Sequence, residues 1–481
     1  MKTRIENGTV IVWRDGRHQV VEQGVVLIEG SSIAAAGARA ELGERASADV
    51  DVVIDASGRL VIPGLVNAHL HVTDTPYTRG YLEETTNVSP DAKAANYGTL
   101  YKILPAVRHA IDPEAQLIAA ECAFAELART GSTTVVELGY DYEVGGDGDI
   151  RITERVAETG IRIGLRLYSG PRYRTMHYGH APGGKVWYER YPSDGRKRFR
   201  DCVDFCTSWN GRFDDRLRTM LAPGQIDTCD PDLLRETRLA ADAHRLPIQI
   251  HAGQSPNEYQ RIGEEYGLTT VEYLRSTGLL GPDLLIGHGQ IMTGDGNLAS
   301  LGRDEAAALR DSRATVVHLP WPKARRGGVI DSIHKYARMG IRQALGTDTF
   351  PFDLFNDMRM AATLCRVVEH TPDVAQSRDI FTMATAGGAD ALGRPDLGRL
   401  AAGCKADVVL LRIDTFKATP LYDPFKFLVL AANGEDVDTV IVDGRTIVKG
   451  GEVLHVDRPE AIRRLNEAAR AVRREADREL G

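Results

Sequence analysis

Two histidines separated by one residue, His69 and His71, form a closely spaced pair of side chains that could bind a metal ion. If the run around them is a β-strand, residues i and i+2 point to the same face, so both imidazoles could reach one ion. His251 and Asp348 lie at the ends of later apolar runs and could complete the ligand set. Neutral imidazoles with a carboxylate suit Zn(II), Fe(II), Co(II) or Mn(II). The sequence therefore predicts a site for one divalent transition metal. The donor types do not choose among these four, and zinc is our first expectation.

The elements that must position these residues are short apolar runs that alternate with longer amphipathic stretches between about Leu60 and Leu392. This alternation predicts βα units around a parallel barrel, whose reactive groups collect at the C-terminal strand ends. The eight runs are VIPGLVNAHLH, TTVVELG, IRIGLRLY, LRTMLAP, LPIQIH, DLLIGH, ATVVHLP and IRQALGTD. Polar side chains at their ends are His69, His71, His251, His288, His318 and Asp348.

Both ends of the chain show a different sequence pattern, in which short runs of β-branched residues alternate with turn signals such as Asp443-Gly444. We predict an α/β protein with a (β/α)8 TIM barrel in the middle of the chain and antiparallel strands at both ends. The predicted division is residues 1–61 and 395–457 for the strand-rich ends, 62–394 for the barrel and 458–481 for a C-terminal helix.

Several motifs resemble those of the amidohydrolase superfamily. They are PGLVNAHLHVTDTPYTRG, HAGQ, IGHG, ALGTDT and GRLAAGCKADVVLL. The chain is most similar to the branch with triazine chlorohydrolases, guanine deaminases and adenosylhomocysteine deaminases, and the resemblance covers essentially the whole sequence. It implies a (β/α)8 TIM barrel with a small β-sandwich domain formed by both chain termini, in agreement with the division above. It also implies that His69, His71, His251 and Asp348 are metal ligands and that His288 holds the attacking water or the substrate.

A mononuclear site is expected from what the fourth run lacks. Binuclear members of the superfamily bridge their ions with a carboxylated lysine or a glutamate, commonly at the end of strand four. The stretch LRTMLAPGQIDT contains neither, and no lysine occurs between Lys197 and Lys323. Glu137, at the end of strand two, is a remote bridging candidate, and a polar contact is the favoured interpretation for it.

The expected mechanism follows from this ligand set. A divalent ion lowers the pKa of its bound water from about 15.7 toward 7, so a metal-bound hydroxide can attack at neutral pH. We expect Asp348 to take the proton of that water as general base, and His288 to orient the hydroxide and polarise the substrate.

Gln254 departs from the resembled deaminases, in which a glutamate three residues after the strand-five histidine shuttles the proton. A carboxamide forms hydrogen bonds but cannot carry a proton at neutral pH. Gly224 likewise stands where the nucleoside-type branch has a histidine. We therefore predict an enzyme, an amidohydrolase that cleaves non-peptide C–N bonds of amide, urea, carbamate or thiocarbamate type in a small aromatic or apolar molecule, with Gln254 among its catalytic residues. The alternatives are an aminohydrolase (deaminase) or chlorohydrolase acting on a purine, pyrimidine or triazine ring and, more remotely, a metal-free scaffold protein.

Predicted substrate contacts follow the strands at the barrel mouth. They are Tyr77, His318, Trp321, Arg325 and Phe350. Aromatic side chains at such a mouth form apolar walls for planar ligands. Packing beneath a loop is an equal alternative for each aromatic residue.

The charge balance bears on partners. Lys and Arg number 59 against 67 Asp and Glu, for a net charge of −8, which argues against nucleic acid as a partner. The sequence has no run of about eighteen apolar residues, which predicts a cytoplasmic protein without a membrane partner. We expect a small-molecule substrate, and the resemblance implies a homo-oligomer, with a dimer first.

Overall fold

The computed structural model describes residues 1–47, 49–79, 81, 99–139, 149–181, 186–192, 195–293, 300–328 and 333–480. The strands are β1 Lys2–Arg14, β2 Arg17–Glu29, β3 Ser32–Ala38, β4 Val52–Asp55, β5 Arg59–Pro63, β6 Leu65–Leu70, β7 Ser132–Leu138, β8 Arg166–Gly170, β9 Arg172–Tyr173, β10 Met176–His180, β11 Val186–Arg190, β12 Leu217–Thr219, β13 Ala222–Pro223, β14 Ile248–Ala252, β15 Leu284–His288, β16 Thr315–His318, β17 Arg342–Leu345, β18 Val408–Arg412, β19 Val437–Val442, β20 Arg445–Lys449 and β21 Glu452–Val453.

The helices lie mainly between the barrel strands. They are α1 Arg39–Leu42, α2 Thr75–Thr78, α3 Leu104–His109, α4 Pro113–Arg129, α5 Ile150–Ile163, α6 Arg196–Trp209, α7 Pro231–His244, α8 Pro256–Tyr266, α9 Thr270–Ser276, α10 Arg303–Ser312, α11 Pro320–Arg325, α12 Ile333–Arg338, α13 Leu354–Glu369, α14 Ser377–Thr382, α15 Gly388–Ala391, α16 Pro424–Leu430 and α17 Arg458–Leu480. Asp112, Asp149 and Asp230 begin α4, α5 and α7 by accepting backbone N–H bonds of the first turn.

Eight parallel strands form the barrel as two four-stranded sheets, β6-β7-β8-β12 and β14-β15-β16-β17. Parallel bridges join the two sheets at both edges. One bridge pairs Leu221, just after β12, with Ile248 of β14, and the other pairs Leu70 of β6 with Asp348, just after β17. At that second edge the N–H of Asp348 donates to the carbonyl oxygen of His69 at 2.9 Å. The N–H of His71 donates to the carbonyl oxygen of Asp348 at 3.1 Å. The strands therefore form one ring, and the predicted (β/α)8 fold class is confirmed.

Burial explains why the barrel runs are almost continuously apolar. Every residue of β6, β7, β8, β14 and β15 is buried. Parallel strands covered by helices have no face in water, so they lack the alternation of a half-exposed sheet. The strand β3 of the terminal sheet shows that alternation instead, with every second residue buried.

Strands from both ends of the chain share one nine-stranded sheet, in the order β21-β20-β19-β18-β5-β1-β2-β3, with β4 beside β1. The central contact is antiparallel pairing of β18 with β5, which joins the two ends. The β5 strand, Arg59–Pro63, crosses the boundary expected after residue 61. The division into residue ranges stays a prediction.

The C-terminal helix α17 packs against α4 and α3. Its Val472 and Ala476 are buried in one cluster with Tyr77 and Val107. On the outer side Arg463 pairs with glutamates of its own helix, so most of the dense charge faces water. Among the described residues, no helix has both the length and the apolar character needed to cross a membrane.

Candidate active site

Five polar side chains meet at the C-terminal ends of the barrel strands: His69, His71, His251, His288 and Asp348. The first two lie at the end of β6, the next two in β14 and β15, and the aspartate three residues after β17. None is more than 5% exposed. Residues from the first and the last strand come together because the barrel is closed.

The atoms of this group lie within reach of one ion. The Nε2 atoms of His71 and His251 are 3.1 Å apart. Oδ1 of Asp348 lies 3.4 Å from Nε2 of His71 and 3.6 Å from Nε2 of His69. The triplets His69, His251, His288 and His69, His71, Asp348 each have ligand atoms within 4.8 Å of one another. Both triplets include His69, so they define a single location.

Backbone contacts behind two imidazoles fix how they face this location. Nδ1 of His71 donates to the carbonyl oxygen of Leu138 at 2.9 Å, and Nδ1 of His251 donates to that of Gly224 at 2.7 Å. With Nδ1 protonated, each ring directs an unprotonated Nε2 toward the other. Two buried lone pairs 3.1 Å apart repel each other unless a cation lies between them. This donor set fits a divalent transition metal.

Electrostatics favours the same assignment. Burial lowers the pKa of both His71 and His251 well below the usual range, with the charge of Arg172 acting in the same direction. Burial also lowers the pKa of His288 to about 3. These histidines are therefore neutral at physiological pH, the form in which imidazole binds metals.

Two residues of the group have unusual backbone conformations. His288 has φ of 76° and Asp348 has φ of 58°, both in the left-handed region. Non-glycine residues held there cost about 1–3 kcal/mol each and concentrate at functional sites. The strain supports assigning both residues to the active centre.

Glycines make the room that His69 needs. A Cβ at Gly287 would come within 2.7 Å of Cε1 of His69, and a Cβ at Gly346 within 2.7 Å of its carbonyl oxygen. Side-chain atoms at these two positions would displace the ring or the backbone of His69.

A cleft with two lobes opens from this centre. The smaller lobe, about 30 Å³, is lined by His71, His251, Arg108, Arg172 and Tyr178, among others. The larger lobe, about 130 Å³, is lined by His288, Gln290, Pro322, Lys323 and Ile291, among others. Leu100, Gln254, Arg326 and Asp348 line both lobes. The cluster of candidate metal ligands thus lies where the two lobes meet.

Gln254 lines this junction and its Oε1 accepts a hydrogen bond from Nε2 of Gln225 at 3.2 Å. Behind it, the buried carboxylate of Glu258 accepts the backbone N–H groups of Gly253 and Gln254 at 2.5 and 3.2 Å. Glu258 is not among the residues that line either described lobe. It holds the loop that presents Gln254.

Two of the predicted substrate contacts are turned into the protein. The hydroxyl of Tyr77 donates to the carbonyl oxygen of Ala115 at 2.6 Å, in the cluster beneath α17. Nε2 of His318 lies 2.8 Å from Oε1 of Gln343. Neither Tyr77 nor His318 is among the lining residues of the two described lobes. The structure therefore does not bring them to the cleft.

The other three predicted contacts are also not among the lining residues of the two described lobes, but they lie next to residues that are. Nη2 of Arg325 donates to Oγ1 of Thr349 at 2.7 Å, and its guanidinium lies 4.3 Å from the ring centre of Phe350. Trp321 is the second residue of helix α11, before the lining residue Pro322, and its backbone N–H donates to Oδ1 of Asp357 at 3.0 Å. Thr349 lines the smaller lobe, so Arg325 and Phe350 lie next to the cleft wall.

The sequence analysis missed other lining residues, namely Arg108, Tyr178, Gln290, Lys323 and Arg326. Arg108 and Tyr178 belong to α3 and β10, elements inserted between barrel strands. Lys323 and Arg326 were detectable in principle, because they follow strand seven, the region in which mouth residues were sought.

The fold and the strand-end cluster define a class, the metal-dependent hydrolases built on a (β/α)8 barrel. The chain belongs to the amidohydrolase family, whose model, described as "Amidohydrolase family", matches residues 60–447. The predicted family, hydrolase class and enzymatic nature are thereby confirmed.

Relatives and solved structures agree with this assignment. The 5'-deoxyadenosine deaminase of Methanothermobacter thermautotrophicus is 30% identical over 465 residues, which is 94% of this chain and 95% of that protein. The 5-methylthioadenosine/S-adenosylhomocysteine deaminase of Pyrococcus furiosus is 30% identical over 457 residues, 94% of this chain and 96% of that protein.

Two solved structures share the fold. An adenosine deaminase from Xanthomonas campestris with bound zinc has a TM-score of 0.81 at 22% identity and covers 98% of both chains. An atrazine chlorohydrolase from Arthrobacter aurescens TC1 complexed with zinc also has a TM-score of 0.81 at 22% identity, over 97% of this chain and 100% of the other.

Proposed function

We propose that this enzyme hydrolyses a non-peptide C–N bond of amide, urea, carbamate or thiocarbamate type in a small molecule, with one divalent cation, zinc first. The observation that carries the proposal is Gln254. It lines the junction of the two lobes where the resembled deaminases use a glutamate. Among the described lining residues, the carboxylates are Asp348 and Asp74, and Nε of Arg108 donates to Asp74 at 2.8 Å. Asp348 is therefore the carboxylate available for proton transfer.

The cation would be held by His69, His71, His251 and Asp348, whose donor atoms converge as described above. Bound there, a divalent ion supplies acidification of a coordinated water and polarisation of the substrate's oxygen or nitrogen. This expectation is supported by the neutral imidazoles and by the opposed Nε2 atoms of His71 and His251.

The chain's own groups divide the remaining work. Asp348 takes a proton from the attacking water and returns it to the departing nitrogen. His288 has a buried Nε2 with no hydrogen-bond partner among the described residues, and it lines the larger lobe. We assign it to hold the polar atom of the substrate. Gln254 orients the substrate through its carboxamide and carries no proton.

A second candidate is an aminohydrolase or chlorohydrolase acting on a purine, pyrimidine or triazine ring. It is favoured by the deaminase relatives, which match over 94% of this chain at 30% identity. In that reaction Gln254 would position the ring. A metal-free scaffold is disfavoured by the complete strand-end cluster.

The test begins with metal analysis of the purified enzyme by mass spectrometry. About one equivalent of transition metal is expected, whereas less than about a tenth of an equivalent would favour the scaffold. The metal-loaded enzyme is then screened for product release from N-alkyl ureas, anilides and carbamates, and for ammonia from 5'-deoxyadenosine and guanine. We expect turnover of the N-alkyl ureas, anilides or carbamates. Rapid ammonia release from 5'-deoxyadenosine or guanine, with the ureas, anilides and carbamates left intact, would instead support the ring aminohydrolase.

Variants test the assigned roles. Asp348→Asn should lower kcat by about 10²–10⁴-fold, as expected for loss of a general base. Gln254→Glu should keep its metal content and shift the preference toward ring deamination. Gln260→Glu on the exposed side of α8 adds the same charge away from the cleft and should change neither the metal content nor the substrate preference. Unchanged kinetics in Asp348→Asn and Gln254→Glu would overturn the site assignment.

Three sequence predictions remain proposals: the barrel and sandwich boundaries, a dimeric assembly and a cytoplasmic location.

A further inference from the structure

The larger lobe is lined by an excess of hydrogen-bond donors. Lys323 and Arg326 reach it from α11 and the residue that follows, and Gln290 reaches it from the loop after β15. Gln290 is only 8% exposed, and its Nε2 has no hydrogen-bond partner among the described residues. An unsatisfied buried amide donor is unfavourable, so such a group in a cleft indicates a ligand that accepts a hydrogen bond.

The two cations next to it are close to each other and to the catalytic centre. Burial lowers the pKa of the Lys323 ammonium, and the charge of Arg326 lowers it further. Both cations also help to lower the pKa of His288, after the larger effect of burial. No ion pair within the described part of the chain joins Lys323 or Arg326 to a carboxylate. Partly buried like charges without a counter-ion are unfavourable, and a bound anion would relieve them.

The charge of the whole cleft has the same sign. Its lining includes the cations Arg108, Arg172, Lys323 and Arg326, whereas the acids are Asp74 and Asp348. Asp74 is paired with Arg108, and Asp348 belongs to the proposed metal site. The cleft is therefore positive in a protein of net charge −8. A cleft of opposite sign to its protein attracts anionic ligands selectively.

We propose that the larger lobe is a carboxylate-binding subsite, formed by Lys323, Arg326 and the amide of Gln290, and that the substrate is a small carboxylic acid. The proposal rests on the proposed function for the reaction at the other end of the molecule. His288 and Asp348 line the same lobe of about 130 Å³, so the carboxylate lies only a few bonds from the C–N bond that is cleaved. A carboxylate accepts several charge-assisted hydrogen bonds in one plane, which matches two cations and one amide donor. This assignment replaces the apolar substrate expected from the sequence with one that carries a negative charge.

The test compares two probes that contain no C–N bond and differ only at the predicted contact, 4-oxopentanoate and its neutral isostere hexane-2,5-dione. Calorimetry on the zinc-loaded enzyme measures both dissociation constants. Wild type should bind 4-oxopentanoate at least about tenfold more tightly, as expected for charge-assisted hydrogen bonds. Lys323→Met and Arg326→Gln should each lose most of this preference while keeping their zinc content. Arg338→Gln, on the exposed face of α12, removes a matched charge outside the cleft and should keep the preference.

Several outcomes would overturn the subsite. Equal affinity of wild type for both probes would do so, as would a preference that survives in Lys323→Met and Arg326→Gln, because the carboxylate would then bind the zinc ion alone. If Lys323→Met weakens both probes equally, Lys323 serves the reaction centre rather than the carboxylate. Binding is measured without turnover, so a failed leaving-group screen would reject the proposed function and leave this test intact.

Discussion

Glu137, in β7 at the second strand of the barrel, is a fully buried carboxylic acid near the active centre. Burial raises its pKa from 4.5 to about 8, and the charge of Arg172 opposes this only in part. It is not a member of either triplet of candidate metal ligands. The favoured sequence interpretation, a polar contact rather than a bridging ligand, is therefore compatible with its position.

The raised pKa predicts a stability that depends on pH. Between about pH 4.5 and 8 the folded protein keeps this proton and the unfolded chain does not, so stability falls as pH rises, by up to about 1.4 kcal/mol per pH unit. Glu137→Gln should flatten this part of the profile, measured as melting temperature between pH 5 and pH 8.5. Glu158→Gln, on the exposed side of α5, should leave the profile as in wild type. An equal decline in Glu137→Gln and wild type would contradict the assignment.

At this scale the sequence predicts best where a residue's place in a strand determines its surroundings. The convergence of His69, His71, His251, His288 and Asp348 was predictable because strand ends are recognisable and barrel strands end together, and their roles stay a proposal. The sequence was less informative for Tyr77, whose hydroxyl bonds to Ala115. That contact depends on the packing of α2 against α4, which no local pattern records.

At the scale of elements, β15 and the residue after β17 approach His69 so closely that each requires a glycine at the point of contact. Gly287 and Gly346 lie where a side chain would overlap with the ring or the backbone of His69. Neither glycine has a positive φ, so the requirement is for space and not for backbone freedom. The order of strands was predictable from eight apolar runs, whereas this spacing requirement was not.

Gly287→Ala should therefore act on the metal and much less on the fold. The new methyl group lies 2.7 Å from Cε1 of His69, so the ring must move and metal affinity should fall by about 10–100-fold, as for other disturbed ligand supports. Metal titration with a chromophoric chelator measures the affinity, and circular dichroism checks the fold. Gly263→Ala in α8, where nothing lies within 4 Å of the new Cβ, should keep full affinity. Normal metal affinity in Gly287→Ala would show that His69 does not bind the ion as placed.

At the scale of the molecule, a buried ion cluster joins the barrel to the terminal sheet. Arg166 begins β8, is completely buried, and donates to Asp407 at 3.2 and 3.3 Å and to Asp443 at 3.0 Å. The two aspartates lie next to β18 and in the turn between β19 and β20. Composition gave the net charge but could not show that these charges are internal, because the three residues are up to 277 positions apart.

Removal of the cation from this cluster should destabilise the whole protein. Arg166→Met leaves the buried Asp407 without a counter-ion and Asp443 with only Lys405 at 3.7 Å, a loss of about 3–5 kcal/mol. For a chain of this length this corresponds to a melting temperature lower by about 3–5 °C. Arg463→Met breaks exposed pairs on α17 and should lower it by less than about 1 °C. Equal melting temperatures for the two variants in a thermal scan would show that the cluster adds no net stability.

The bridge between Leu70 and Asp348 has one further consequence, which concerns the time at which the site comes into existence. The first and last strands of the barrel meet there, and the same few residues supply the candidate ligands at both ends of a 280-residue span of chain. During synthesis, a nascent chain that ends before Asp348 has neither a closed ring nor a full set of donors. The complete set of candidate ligands therefore exists only after synthesis has passed Asp348, so an ion held by all of them would report that the first and last strands of the barrel have paired.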